Sequence, residues 1–270
     1  MKKCKCEENY VEIAELYKQG LSIDKLKDKY NVSNKVIKRA LDTIGVKTRD
    51  NSHKGRKYHI NENYFDDIDT QNKAYILGLL YADGNNYTRQ NNVKLELQER
   101  DKDILIKINK ELEYDKELVF TELNAKNENW QNTYKIMITN KHISETLNNL
   151  GMVPNKSLIL TFPNWLDKDL VPHFIRGYLD GDGCIYWNET GSKFITIAST
   201  KEFCSELKNI LKNYGIKSVV SDTSKKDSNT KILRICGIDN IRSFLSLIYS
   251  DAKLYIKRKF NIYKKVCNIK

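Results

Sequence analysis

The amino-acid sequence predicts an α+β protein: two pseudo-symmetric αββαββα repeats, their strands forming saddle-shaped β-sheets, preceded by a small all-α helix-turn-helix domain. Three observations predict it. Residues 76–84 (ILGLLYADG) and 175–183 (IRGYLDGDG) share one pattern, with small residues and an aspartate at matching places. The stretches that follow each of them run through the same series of hydrophobic periodicities. The first segment of the chain has helix punctuation of its own and a disproportionate share of the positive charge. The expected boundaries are 1–50 for the helix-turn-helix domain, 51–63 for a basic linker, 64–163 for the first repeat and 164–270 for the second.

The N-terminal elements follow from apolar spacing and caps. Residues 10–19 place Val11, Ile13, Ala14, Leu16 and Tyr17 at helical intervals and stop at Gly20, a preferred C-terminal cap. Ser22 can cap a second helix running to Lys29 with Ile23 and Leu26 inward, and Ser33 a third running to Ile44 and closed by Gly45. A short helix, a tight turn and a capped helix make a helix-turn-helix pattern. The third helix displays Asn34, Lys35, Lys38 and Arg39, residue types that reach base edges or phosphates. Arg56 and Lys57 lie in a stretch without apolar periodicity, suited to tracking phosphates.

In each repeat the motif helix is followed by an alternating hairpin (85–89 with 93–98; 184–187 with 194–199) and an amphipathic helix (101–112; 201–214). A second strand pair comes next (118–123 with 133–139; 217–222 with 232–236), then a closing helix (141–150; 239–249). A groove-facing surface is expected from Asn86, Arg89, Lys94, Glu96, Lys135, Trp187, Lys193, Thr196, Lys231 and Arg234.

Composition narrows the function classes. At 270 residues with 40% hydrophobic and 30% charged residues, the chain can bury a sizeable core. It has no apolar run of the roughly 18–20 residues that cross a membrane, and its first residues form no signal core, so an intracellular, cytoplasmic protein is expected. A net charge of +11, with +6 of it in residues 1–63, points to a polyanionic partner. Six scattered cysteines form no CxxC pair, and four histidines form no cluster. Hydrolytic chemistry here would run on carboxylates and a divalent metal.

The motif suggests where. Gly78 and Ala82, like Gly177 and Gly181, stand four apart on a helix face, and small residues at that spacing let two helices approach backbone to backbone. Their C-terminal ends would then bring Asp83 and Asp182 together across a pseudo-dyad. Two like charges beside helix C-terminal carbonyls call for a cation, and a hard oxygen-seeking ion such as Mg²⁺ suits them. The carbonyls of Ala82 and Gly181 are the backbone atoms placed to help.

This doubled motif resembles that of the LAGLIDADG homing endonucleases in their single-chain form, over roughly residues 64–270. The resemblance implies a monomer that cleaves double-stranded DNA, with two or three divalent ions bound by Asp83 and Asp182 at the repeat interface. It also implies basic-pocket roles for Lys156, in the inter-repeat segment 151–163, and for Lys259. Gln98 would touch the water network, with Ser199 as its counterpart. The sixth motif position is Asp180 in the second copy but Tyr81 in the first, a departure at a place whose role varies. A DNA-binding regulator without cleavage and an RNA-binding intron maturase are the rival readings; retention of both aspartates favours the nuclease.

Overall fold

The structure, a computed structural model, describes residues 7–48, 57–125, 127–188, 190–223 and 229–269, and divides the chain into two units, Met1–Lys57 and Tyr58–Lys270. Arg56, with the rest of the basic stretch 49–56, lies outside the described residues.

The first unit holds helices α1 (Tyr10–Lys18), α2 (Ile23–Tyr30) and α3 (Asn34–Thr43) around a small core of Ile13, Tyr17, Leu26, Ile37, Ala40 and Leu41. The expected punctuation does its work: Gly20 and Gly45 take positive φ after α1 and α3, and the Ser22 hydroxyl accepts from Lys25 N at 3.2 Å. Two details differ. Val11 points to solvent, and Ser33 precedes α3 without a side-chain cap bond. Asn31 supplies the left-handed residue that turns α2 into α3.

The second unit is built on two motif helices, α4 (Gln71–Asp83) and α7 (Val171–Asp182), which are buried on all sides along their middle turns, Ala74–Tyr81 and His173–Asp180. Each runs straight into a strand of a four-stranded antiparallel sheet. The first sheet contains β1 (Gly84–Tyr87), β2 (Asn92–Gln98), β3 (Val119–Thr121) and β4 (Thr133–Thr139). The second contains β5 (Gly183–Trp187), β6 (Lys193–Thr200), β7 (Val219–Asp222) and β8 (Thr230–Cys236). Strand orders are β1-β2-β4-β3 and β5-β6-β8-β7, so the copies share one topology. Register agrees as well, with Gly84 opposite Leu95 and Gly183 opposite Ile197. Helices α5 (Lys102–Glu111) and α6 (Lys141–Asn149) complete the first copy, α8 (Lys201–Asn213) and α9 (Ile238–Tyr249) the second.

Two stretches depart from expectation. The sequence reading leaves residues 257–266 unassigned, but they form α10 (Lys257–Val266), packed through Lys259, Tyr263 and Val266. Residues 58–63, expected as linker, belong to the second unit: His59 N donates to the Asp115 carboxylate at 2.8 Å and Asn61 N to Leu112 O at 2.9 Å. Among the described residues no helix is long and apolar enough to cross a membrane.

Candidate active site

The site begins with glycine. A β-carbon on Gly78 would stand 2.1 Å from Phe174 O, and one on Gly177 would stand 2.0 Å from Tyr75 O. Tyr75 and Phe174 hold the same place in the two motifs, so the two contacts are one contact repeated about a dyad. Backbone meets backbone because no side chain intervenes. Farther along, a β-carbon on Gly181 would lie 2.4 Å from Ala82 Cβ and 2.8 Å from Asp83 Oδ2. The carboxylate of the first motif therefore lies against the last turn of the second, beside the residue that precedes Asp182.

Both carboxyls feel the packing of the helix ends. Burial, and after it the negative charge of Asp182, pushes the Asp83 carboxyl up to about 6. Burial also raises Asp182, while the ammoniums of Lys156 and Lys259 oppose the shift at both residues.

The two lysines that the resemblance marks lie at the ends of the motif helices, and the structure defines what their charges touch. Lys156, in a 3-10 turn after the first copy, donates to Ala82 O at 3.2 Å and Gly84 O at 2.6 Å. Lys259, in α10, donates to Leu179 O, to Asp180 O at 2.8 Å and to Gly183 O at 2.6 Å. Gly84 and Gly183 are equivalent positions, so each ammonium secures the exit of one motif helix into its strand. Both lysines are buried, which holds Lys156 below the ordinary lysine range and brings Lys259 down to about 8. An ammonium has three protons, and Lys259 places all three on carbonyls. The Ala82 carbonyl, expected as a metal ligand, accepts from Lys156 at 3.2 Å.

The sixth motif position explains how each lysine arrives. Tyr81 OH donates to Leu150 O, just ahead of the segment that carries Lys156. Asp180, fully buried, accepts from Tyr249 OH at 2.6 Å, Tyr75 OH at 2.8 Å and Ile256 N at 2.7 Å, just ahead of Lys259. Burial raises the Asp180 carboxyl, and the ammonium of Lys259 and these donors act against it. One turn back, buried Arg176 donates to Leu254 O at 2.9 Å and Ile248 O at 2.7 Å. Sequence reasoning did not find Arg176, and its pairing with the α9–α10 connection leaves no local signal.

A cavity of about 250 Å³ opens beside Asp83, lined by Glu96, Gln98, Asp101, Thr133, Gly181 and Arg258 among others. Gln98 reaches it from the end of β2, and its buried Oε1 has no hydrogen-bond partner among the described residues. Arg258, also outside the sequence reading, holds Asp101 through Nε at 3.0 Å, closing the second copy onto the first. Ser199 is not the counterpart of Gln98. With Gly84 opposite Leu95 and Gly183 opposite Ile197, Gln98 corresponds to Thr200, and Ser199 lies on the buried face, where it accepts from Tyr178 OH at 2.9 Å. Thr200 is itself committed: its hydroxyl donates to Leu160 O at 2.5 Å and accepts from Phe203 N at 3.1 Å.

The same period-two register sorts the expected groove residues. Lys94, Glu96, Lys135, Thr196 and Arg234 lie on the open faces, and Arg89 is exposed in the β1–β2 turn. Four do not. Asn86 is buried and bonds Ser144 O at 2.9 Å and Met152 O at 3.1 Å, because Gly84 starts the strand on the buried side. Trp187 and Lys193 share the parity of Ile195 and pair with each other, Lys193 Nζ 5.4 Å over the indole. Lys231 has the parity of Ser199 and bridges to Asp222. In the separate N-terminal unit, Asn34, Lys35, Lys38 and Arg39 are exposed on α3, and Asn34 Nδ2 reaches Asp24 at 3.4 Å; Lys57 closes that unit, also exposed.

Among the described residues no three His, Cys, Asp or Glu side chains gather into a metal-holding group. The donor set still fits a hard divalent ion such as Mg²⁺. The half-buried Asp83 carboxylate, the Asp182 carboxylate whose charge it feels and the Gly181 carbonyl offer oxygens only, the donor type such an ion takes.

Residues 169–249 match the family model of the LAGLIDADG-like domain. The chain is 33% identical over 87 residues to the probable translation initiation factor IF-2 of Methanocaldococcus jannaschii, a match spanning 31% of this chain and 7% of that protein. Similar solved structures include full-length DUF199/WhiA from Thermatoga maritima, at 16% identity and TM-score 0.48 over 77% of this chain and 64% of that one. Another is the meganuclease I-SmaMI bound to uncleavable DNA, at 10% identity and TM-score 0.48 over 72% of this chain and 88% of that one.

Proposed function

From the premise that residues 169–249 form a LAGLIDADG-like domain and that the first repeat shares its topology, we propose a site-specific, Mg²⁺-dependent DNA endonuclease. One observation carries the reading: the glycine-to-backbone contact of α4 and α7 that sets Asp83 against the turn holding Asp182. Nothing in a merely structural helix pair calls for two like charges side by side at its end.

Asp83, Asp182 and the Gly181 carbonyl would hold the metal, and Gln98 Oε1 would accept a hydrogen bond from a water in the adjoining cavity. A divalent ion bound there supplies Lewis-acid activation of that water and charge neutralisation at the departing 3′ oxygen. Lys156 and Lys259 keep positive potential beside both carboxylates while fixing the strands that flank them. The open sheet faces present strands of a width suited to a major groove, and the exposed basic face of α3 suits a further stretch of duplex.

Binding without cleavage is the competing reading. It is favoured by the full commitment of Lys259 to carbonyls, which leaves that ammonium no proton for a substrate oxygen. One experiment separates the two. Duplexes that bind the full chain are selected from a randomised library and incubated with Mg²⁺, with EDTA, and with Asp83→Asn or Asp182→Asn protein. The endonuclease reading expects double-strand cleavage by the parent with Mg²⁺ alone, and none by either variant. Equal cleavage by the variants, or binding with no cleavage at all, overturns it.

A further inference from the structure

The two open sheet faces occupy equivalent places and are chemically unlike. On the first sheet, Asn85, Lys94, Glu96 and Lys135 face outward, tied by a Lys94–Glu96 ion pair at 2.9 Å and a bond from Thr133 Oγ1 to Glu96 at 2.6 Å. The register places Cys184, Thr196, Ala198 and Ile232 at the same four positions of the second sheet. Where the first sheet has Asn92, the second has Phe194, stacked on Tyr186 at 5.0 Å and 16°. One charged group remains on the open face of β5, β6 and β8: Arg234, its guanidinium 4.5 Å above the Phe194 ring. Val219, 65% exposed on the neighbouring strand, lies opposite Arg234.

An apolar sheet face left open to water marks an interaction surface. Its occupant is constrained from two sides. The face belongs to a protein of net charge +11, and it is continuous with the carboxylates, since β5 begins at the residue after Asp182. A polyanion carrying apolar groups in a row is a duplex whose major groove displays thymine methyls. Stacking on Phe194 takes rotational freedom from Arg234 and aims one planar donor at the groove, the geometry that reads guanine O6 and N7.

We propose that the second repeat reads its half-site mainly through thymine C5-methyl groups, with Arg234 recognising a single guanine, whereas the first repeat reads its half-site through hydrogen bonds. The inference rests on the DNA-binding reading above and adds an asymmetric rule for the target. The ligand of the second sheet is an A·T-rich major groove with one G·C pair.

The test uses the full chain and a duplex selected by binding from a randomised library. Thymines are replaced by deoxyuridine in one half-site at a time, which removes the methyls and leaves every hydrogen-bonding edge intact. Affinity is expected to fall about fourfold for each contacted methyl withdrawn from one half, and to stay unchanged in the other. Arg234→Ala should abolish the preference for one G·C pair in the methyl-sensitive half, and Lys135→Ala should alter selection in the opposite half. Equal losses in both halves, no loss in either, or an Arg234→Ala effect confined to the methyl-insensitive half would overturn the proposal while leaving DNA binding intact. Failure to select any duplex would instead overturn the DNA-binding reading, and this inference with it.

Discussion

Asp83 is where composition becomes chemistry. Its carboxyl stands near 6 in the folded chain against an ordinary 3.8, because burial and Asp182 both disfavour the charge. A folded-state value raised in this way stabilises the protonated protein: the contribution is fully present below pH 4 and is lost as pH rises through 6. Asp83→Asn should therefore raise the melting temperature in EDTA at pH 7–8, by the equivalent of on the order of 2 kcal/mol, with the gap closing near pH 4. Adding Mg²⁺ should stabilise the parent and not the variant. Thermal melts across pH check both, and a variant that melts lower at pH 8 in EDTA would contradict the shift. Gln98 makes a second prediction at this scale. It has an orphaned amide oxygen in the cavity, and its structural counterpart Thr200 is occupied in capping α8. Gln98→Ala should slow cleavage of one strand by about 10- to 100-fold and spare the other, as read by strand-specific labelling; equal slowing of both would remove Gln98 from a single site.

At the scale of the element, the α4–α7 contact decides whether the fold exists. A methyl at Gly78 or Gly177 meets a backbone oxygen near 2 Å, and neither helix can retreat while its neighbours hold it. Gly78→Ala and Gly177→Ala should each cost about 2–3 kcal/mol or more, seen as a melting temperature lower by roughly 5–10 °C. An unchanged melting curve would mean the helices part easily. This contact was legible in the sequence because the motif occurs twice with its small residues in register, and most strands and helices were legible because each element carries its own period. Other features were not. The α10 helix reads as a basic tail, since Phe260, Tyr263 and Val266 stand among five lysines and arginines. Strand parity slipped by one at Asn86 because a glycine hides the face on which a strand begins. Arg176, Asp180 and Arg258 find their partners across long loops, and no local spacing announces an ion pair between residues 101 and 258.

At the scale of the whole molecule, the N-terminal unit and the duplicated unit are separable predictions. A protein starting at Tyr58 keeps both aspartates, both lysines and every strand, so it should still cleave. It should lose affinity and bind with a shallower salt dependence, the log–log slope falling by about 0.9 for each phosphate contact removed. Protection should shorten on one flank of the DNA only. A truncated protein with the full footprint and an unchanged slope would show that residues 10–43 do not touch DNA.

The hydroxyl of Tyr75 that reaches across the dyad to Asp180 has a consequence for ancestry. Duplication begins with identical halves that could pair in any combination. Here a chain made of two second repeats would put Phe174 where Tyr75 stands, withdrawing one of the three donors from a buried carboxyl. A chain made of two first repeats would have no acid there to receive one. A single exchange of that phenylalanine for tyrosine would return the donor in the first case, whereas the second would need the acid itself, so the two copies are no longer interchangeable.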